Sequence, residues 1–384
     1  MNDMDYAPFM REAIALAEQG RWKACPNPTV GAVLVRDGRI VARGWHHAAG
    51  QDHAEVACLA DAKAHGVSPA ECTLVVTLEP CCHEGKVPPC ADAVLRAGIR
   101  RVVTGMADPN PQACGGAEKL RAAGVEVIEN VCSQECHDLV ADFLVWQKNR
   151  RPFVMLKMAA TLDGRIATRT GHSQWISSAA SRKHVQDLRR SIAPCGGVVL
   201  VGGGTFRADN PHLGVHGQTN CPQPLACVLT SRLPLPDADF RLLKERPEQT
   251  VFLVSPAAAA STTAKALRDK GVRVLALGPN PHCPQGGPDF HGLLQMLKEE
   301  LHCHYLLCEG GGRLALSLLE AGLVDDFFLH LAPVVLGDAE AAPLFSGRSP
   351  LTLDEALRLR VYGFSTCGED LHIRFRPTIS GENT

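Results

Sequence analysis

Aromatic side chains are scarce. Trp, Tyr and Phe make up 5% of the 384 residues, and nowhere do they interleave with a basic stretch. Stacking bases in a cationic groove needs that interleaving, so nucleic acid is not an expected partner. Nor is there an excess of charge. A net charge of −2 gives no bulk attraction to nucleic acid or to an anionic membrane. No apolar run approaches the roughly 18–20 residues that a membrane span needs. The opening "MNDMDYAPFM" carries acidic residues and lacks the basic-then-apolar pattern of a secretory signal. A cytoplasmic location and no membrane partner are therefore expected. Internal repeats and coiled-coil heptads are missing as well.

Cysteine, by contrast, is plentiful, with sixteen in the chain. A disulfide framework suits short secreted chains, and this chain is long. Most of these residues are expected to be free thiols packed as small hydrophobes, as Cys58, Cys72, Cys227 and Cys308 are in their apolar surroundings. Cysteines next to helix-start and turn signals need a separate reading.

The length exceeds what one core usually serves, so two domains are expected, over 1–148 and 152–378. The first reads as alternating α and β. Residues 5–19 form an amphipathic helix, and "TVGAVLVRDGRIVARG" a hairpin turning at Asp37-Gly38. A helix over 53–65, the strand "CTLVVTL", the helix of "PPCADAVLRAG" and the strand "RRVVTGM" follow. A further helix and strand in "GGAEKLRAAGVEVI" and one helix over 133–148 close the series. "QKNRRPF" reads as a linker. Beyond it, strands are expected at "FVMLKMAA", "GGVVLVGGG", "PLACVLTS", "TVFLVS", "VRVLAL" and "HYLLCEGGG". Helices fall at 178–191, 261–270, 289–300 and 313–321. "PNPHCPQGGP" is a turn-rich loop, and "LVDDFFLHLAPVVLG" and "DLHIRFRP" are closing strands, read as antiparallel.

Chemistry concentrates in "DHAEVACLA", from Asp52, and "TLEPCCHEGKVPPC", from Thr77. A catalytic zinc keeps three protein ligands and one open position, where water becomes acidic enough to supply hydroxide near pH ~7. Zinc deaminases meet this need with His-x-Glu, then Pro-Cys, then a second Cys; the Glu shuttles protons and is not a ligand. His53 and Glu55 stand at a predicted helix start, Cys81 follows a predicted strand, and Cys90 opens the next helix. Thiolates are stabilised at such helix N-termini. A surface His-Glu pair beside two unrelated thiols is the bland alternative, and it has to explain the whole ordered series. Cys82 competes as a ligand, and His83 reads as a loop or substrate residue. A structural zinc with four protein ligands also stays open.

Four stretches, "CPNPTVGAVLV", "HAEV", "TLEPCCHEGKVPPC" and "MADPNPQ", resemble the deaminase half of the bifunctional riboflavin-biosynthesis deaminase–reductases. "KMAATLDGRIATRTGHSQWISSAASRKHVQDLR", "LVGGGTFRADNPHLGV", "LTSR" and "EGGGRLALSLLEAGLVDDFFLHLAPVVLG" resemble the reductase half. The resemblance spans almost the whole chain, in the family's order. It implies an N-terminal cytidine-deaminase-like α/β/α domain and a C-terminal dihydrofolate-reductase-like α/β domain. Two consecutive reactions follow from it: hydrolytic deamination of a diaminopyrimidinone carrying a ribosylamino 5′-phosphate, then reduction of its ribosyl chain to ribityl by NADPH. One Zn2+ in the first domain, NADPH in the second and a homo-oligomeric state are implied too.

Residue by residue, the resemblance makes His53, Cys81 and Cys90 the zinc ligands, Glu55 the proton shuttle and Asn27 a substrate contact. Ala159, Trp175, Thr205, Asp209, Ser231, Gly311 and Gly312 would meet NADPH; Ser173, Arg189, Leu213 and Glu309 would meet the substrate. Physical chemistry agrees in outline. Glycine runs at 202–204 and 310–312 follow strands and precede helices, where backbone N–H groups suit a pyrophosphate, though tight turns use glycine anyway. Trp175 reads equally as core; Arg189 has a solvated helix charge as its bland reading, but an anionic substrate needs such a cation.

Some positions depart from the family pattern. Its "DDPxLTVR" is Asp209-Asn210-Pro211-His212-Leu213-Gly214-Val215-His216 here, so histidine replaces the arginine expected near the phosphate. Val87 replaces a threonine before Pro-Pro-Cys, and about four extra residues precede Val198, in "SIAPCGG". Two other readings compete with the bifunctional one. The deaminase could act on a nucleobase in nucleic acid, or the C-terminal half could bind its ligand without turnover.

Overall fold

A computed structural model describes residues 4–83, 88–217, 221–281 and 287–378. They form two compact units, Met1–Arg150 and Arg151–Thr384. Val87 lies outside the described residues.

The first unit follows the alternating pattern. Helix α1 (Ala7–Ala17) precedes the hairpin β1 (Gly31–Arg36) and β2 (Arg39–Trp45). Asp37 and Gly38 both take positive φ in its tight turn. Helix α2 (Ala54–Ala64), β3 (Thr73–Val76), α3 (Cys90–Arg96), β4 (Arg101–Thr104), α4 (Gly116–Ala122) and β5 (Glu126–Ile128) follow. The strands make one sheet in the order β2-β1-β3-β4-β5, antiparallel at the hairpin and parallel from β3 onward. Close helix–sheet contact explains Gly44: a Cβ there would lie 2.3 Å from the Cys58 backbone nitrogen on α2. The single helix expected over 133–148 is two, α5 (Ser133–Leu139) and α6 (Ala141–Lys148). The chain leaves helical geometry at Val140 (φ −105°, ψ 23°), and Leu139, Val140, Phe143 and Trp146 are all buried around the break. Because α6 continues to Lys148, the connection between the units is shorter than "QKNRRPF".

The second unit starts with β6 (Phe153–Thr161), β7 (Arg165–Ala167), α7 (Ala179–Ile192), β8 (Val198–Gly202) and α8 (Gly203–Asp209). Next come β9 (Leu225–Leu229), α9 (Arg241–Glu245), β10 (Thr250–Val254), α10 (Pro256–Ala259), α11 (Thr262–Asp269) and β11 (Arg273–Ala276). The series ends with α12 (Phe290–Leu301), β12 (Tyr305–Cys308), α13 (Gly312–Glu320), β13 (Asp326–Ala332), β14 (Ala342–Pro343), β15 (Leu359–Cys367) and β16 (Asp370–Pro377).

Nine strands form one sheet in the order β11-β10-β9-β8-β12-β6-β13-β16-β15. It is parallel as far as β13, with β16 and β15 added antiparallel. β8, β10 and β12 are buried almost throughout, so they read as unbroken apolar runs. Fully burying each such Val or Leu contributes about 1.5–3 kcal/mol before chain entropy is counted. Edge strand β15 was not expected; it has no buried residue, holds Gly363 and carries a register shift between Val361 and Gly363, which blurs the alternation that marks a strand.

Candidate functional site

The first site forms where two helix starts meet a strand end. His53 occupies the N-cap of α2 with extended backbone (φ −70°, ψ 161°), and Glu55 lies in that helix's first turn, only 4% exposed. Cys81 lies in the loop after β3, and Cys90 is the first residue of α3. One ligand atom from each of His53, Cys81 and Cys90 lies within 4.8 Å of the others. His53 Nδ1 stands 3.7 Å from Cys81 Sγ and 3.3 Å from Cys90 Sγ. The Cys90 backbone N–H donates to Cys81 Sγ at 3.4 Å.

The electrostatics suit a cation held beside a carboxyl. The hydrogen bond from the Cys90 thiol, with help from His53, holds Cys81 down to about 4 against the opposing effect of burial. Cys90 is raised as the donor of that pair and by its burial. Burial pushes Glu55 up to about 7, so it can exchange a proton near neutrality. One imidazole and two thiols at this spacing are a borderline-soft donor set that fits zinc. Cys82 turns away; its thiol donates to the Cys114 carbonyl at 2.6 Å.

A cavity of ≈ 360 Å³ opens in front of this group, lined among others by Asn27, His46, His53, Glu55, His83 and Asp108. His46 Nδ1–H donates to the Asp52 carbonyl at 2.9 Å, which leaves Nε2 to accept from the Asn27 amide at 3.1 Å. Asn27 is thereby fixed at the cavity wall. Sequence reading missed Glu79. Its buried carboxylate accepts backbone N–H bonds from Asp108 (3.0 Å), Gly115 (3.1 Å) and Ala117 (2.9 Å), pinning the loop that carries Asp108. Burial first, then the nearby charges of Glu79 and Cys81, push Asp108 up to about 6.

The second site is a cavity of ≈ 580 Å³. It lies beyond the carboxyl ends of β8 and β12, the usual ligand position in an open parallel sheet. Ala159, Ser173, Trp175, Arg189, Thr205, Asp209, Leu213, Glu309 and Gly311 all line it. Ser173 donates to Asp209 at 3.2 Å, and the Gly311 N–H donates to Thr205 Oγ1 at 3.1 Å. Trp175 is 69% exposed, with the Arg182 guanidinium 4.6 Å from its ring centre, so it is not a core residue. Arg189 is buried rather than solvated and is paired with Glu309. Burial pushes Glu309 up, but Arg189 and Lys157 outweigh it and hold the carboxyl below its ordinary value.

Two expected cofactor contacts stand apart. Ser231 lines a separate cavity of ≈ 480 Å³ with Thr230, Ser255 and Gly278, at the carboxyl ends of β9, β10 and β11. Gly312 has a packing reason, since a Cβ there would lie 2.4 Å from the Leu344 carbonyl oxygen. Lys157, Arg241 and His212 line the main cavity without having been singled out. Lys157 had a visible signal, a charge inside the apolar strand "FVMLKMAA". A bare glycine edge at Gly310-Gly311 and the start of α13 suit the close approach of a dinucleotide phosphate.

Comparison with known proteins agrees with both halves. Residues 4–106 match the cytidine and deoxycytidylate deaminase zinc-binding region, and residues 152–373 match the RibD C-terminal domain. The chain is 40% identical to the riboflavin biosynthesis protein RibD of Aquifex aeolicus, over 96% of this chain and 97% of that one. It is 36% identical to the Escherichia coli protein of that name, over 86% of this chain and 88% of that one. Among solved structures it is similar to RibD of Acinetobacter baumannii, at 33% identity and a TM-score of 0.72, covering 98% of this chain and 99% of that one. A Thermotoga maritima diaminohydroxyphosphoribosylaminopyrimidine deaminase/5-amino-6-(5-phosphoribosylamino)uracil reductase is also similar, at 33% identity and a TM-score of 0.75, covering 97% and 99%. A deaminase-type zinc region followed by a reductase domain, with relatives matched along nearly their full length, places the chain in the RibD family of riboflavin-biosynthesis deaminase–reductases.

Proposed function

We propose that the first unit deaminates 2,5-diamino-6-(5-phosphoribosylamino)pyrimidin-4(3H)-one and the second reduces the ribosyl chain of the product with NADPH. The observation that carries this reading is the convergence of His53, Cys81 and Cys90 beside the buried carboxyl of Glu55. His53, Cys81 and Cys90 would hold Zn2+, which when bound would acidify water and so supply a nucleophile near neutral pH. Glu55 takes a proton from the attacking water and returns it to the departing amine, so water and the aminopyrimidine become a carbonyl and ammonia. Asn27, oriented through His46, and Asp108, held through Glu79, grip the pyrimidine edge.

In the second unit NADPH, when bound, would supply a hydride. Ala159, Trp175, Thr205, Asp209, Ser231, Gly311 and Gly312 would hold it, five of them from the wall of the main cavity. Ser173, Arg189, Leu213 and Glu309 form the substrate side. Since Arg189 and Glu309 already pair with each other, the substrate phosphate must draw on other groups as well, including His216 where the family pattern has arginine. A homo-oligomer is supported by edge strand β15, whose Val361 and Phe364 are exposed. Free thiols throughout the described residues support a cytoplasmic setting. No described helix is long and apolar enough to cross a membrane.

The test supplies the two substrates separately before and after chelation. Chelation should abolish ammonia release from the diaminopyrimidinone and spare NADPH oxidation with the pre-deaminated compound. Loss of both activities, or of neither, would contradict the assignment.

A further inference from the structure

Three histidines meet in the second unit, outside the cavity lined by Arg189 and Glu309. His184 lies on α7, His330 on β13 and His372 on β16. His330 and His372 are register partners on neighbouring antiparallel strands, so their side chains leave the same face of the sheet. Their rings lie parallel, 3.6 Å apart, and His184 covers them at 5.3 and 5.0 Å. His184 Nδ1 is 3.3 Å from His330 Nε2. One nitrogen from each ring lies within 4.8 Å of the other two.

We propose that His184, His330 and His372 form a second metal site, which takes a zinc-class transition-metal cation through three imidazole nitrogens. The first support is the hydrogen-bond pattern. The Ser181 hydroxyl donates its one proton to Asp370, so it accepts from His372 Nε2–H at 2.7 Å. That fixes the tautomer and leaves the Nδ1 lone pair of His372 free. A carboxylate acting on a histidine from behind is the usual outer support of a metal-bound imidazole. Asp370 is itself held by the Ser178 N–H at 2.8 Å.

The second support is an orphan. His330 is 1% exposed, and its Nδ1 has no hydrogen-bond partner among the described residues. A buried unpaired nitrogen is costly, by about 1–3 kcal/mol, and an ion taken at this Nδ1 would remove that cost. The third is room: a cavity of ≈ 260 Å³ borders all three rings, walled by Phe328, Tyr362 and Phe364. It leaves space for water in an open coordination position.

The surroundings select the ion. Among the described residues no carboxylate lines this cavity, so hard oxygen-seeking cations such as Mg2+ and Ca2+ are disfavoured, whereas imidazoles suit Zn2+, Ni2+ and Cu2+. Lys157 faces the cluster from β6 and opposes a cation, while the Arg374 charge is met by Asp326. Binding requires His330 or His372 to tilt out of the parallel stack, as His184 is already tilted.

Metal content of the full-length protein tests this. After loading with Zn2+ and desalting, the wild type should hold one zinc equivalent per chain more than His184→Gln or His372→Gln. Both variants should still oxidise NADPH with the pre-deaminated substrate, which shows that the unit is folded. Cys81→Ser should lose a different equivalent and keep the histidine-held one. Co2+ added to Cys81→Ser should bind without thiolate-to-metal charge-transfer absorption, and His184→Gln should abolish that binding in the double variant. Equal zinc content in the wild type and the folded histidine variants would overturn the proposal. So would cobalt binding that is indifferent to His184.

Discussion

Arg189 on α7 and Glu309, just after β12, hold each other in a buried two-pronged ion pair, Nε to Oε1 at 2.8 Å and Nη2 to Oε2 at 2.7 Å. A third Arg189 donor reaches the Gly214 carbonyl at 3.0 Å. The pair ties the cavity floor to the loop that carries Leu213 and His216. Removing either partner strands a buried charge, so Arg189→Ala should cost about 3–5 kcal/mol. Replacing both by apolar residues, as in Arg189→Met with Glu309→Met, should recover most of that stability and none of the reductase turnover. Urea denaturation beside NADPH oxidation checks it; turnover returning with stability would show the pair to be structural only.

Glu79 acts through backbone rather than substrate. Glu79→Ala releases three N–H groups and should cost about 3 kcal/mol. It should raise the deaminase KM more than it lowers kcat, because Asp108 loses its position while Glu55 stays. Glu79→Gln should restore part of the KM, and NADPH oxidation should be untouched. Steady-state ammonia release for the two variants decides this.

His212 sets a pH limit on the second unit. Burial, reinforced by Arg246, His216 and Arg241, lowers it to about 4, and the Gly214 N–H donates to its Nδ1 at 3.2 Å. The unfolded chain then binds that proton more readily than the folded one. Stability from this group is complete above the unfolded value near 6.5 and is lost as pH falls from about 6.5 to about 4. Between pH ~7 and pH ~5 the loss should be about 2 kcal/mol, and His212→Gln should flatten it. Urea titrations at the two pH values measure the difference.

His216 stands where the family pattern has arginine. His216→Arg would add a permanent charge with bidentate geometry to the cavity wall. The reductase KM for the phosphorylated substrate should fall about tenfold, the value of one further charge-assisted hydrogen bond. The KM for a dephosphorylated analogue should stay put. Equal effects on both substrates would place the phosphate elsewhere.

The residues legible in sequence were those whose chemistry is set locally. His53 at an N-cap, Cys90 at a helix start and Cys81 after a strand each carry a short-range signal, and the apolar strands β8, β10 and β12 announce themselves by composition. What was hidden depends on distant partners. Glu79 acts on backbone groups near residues 108–117, and no local pattern shows that. Arg189 was expected beside the substrate, but its pairing with Glu309, far along the chain, carries no local signal. The close approach of Gly312 to the Leu344 carbonyl and the second cavity around Ser231 are tertiary features too, which no local pattern shows. The break at Val140 carries no glycine or proline to mark it.

In the proposed function Glu55 moves protons for the first reaction only. The most direct measurement follows ammonia release and NADPH oxidation separately in zinc-loaded wild type and Glu55→Gln. Glu55→Gln should lose ammonia release by about 10²–10⁴-fold while reducing the pre-deaminated compound at the wild-type rate. Ammonia release that survives Glu55→Gln in protein retaining its zinc would contradict the claim.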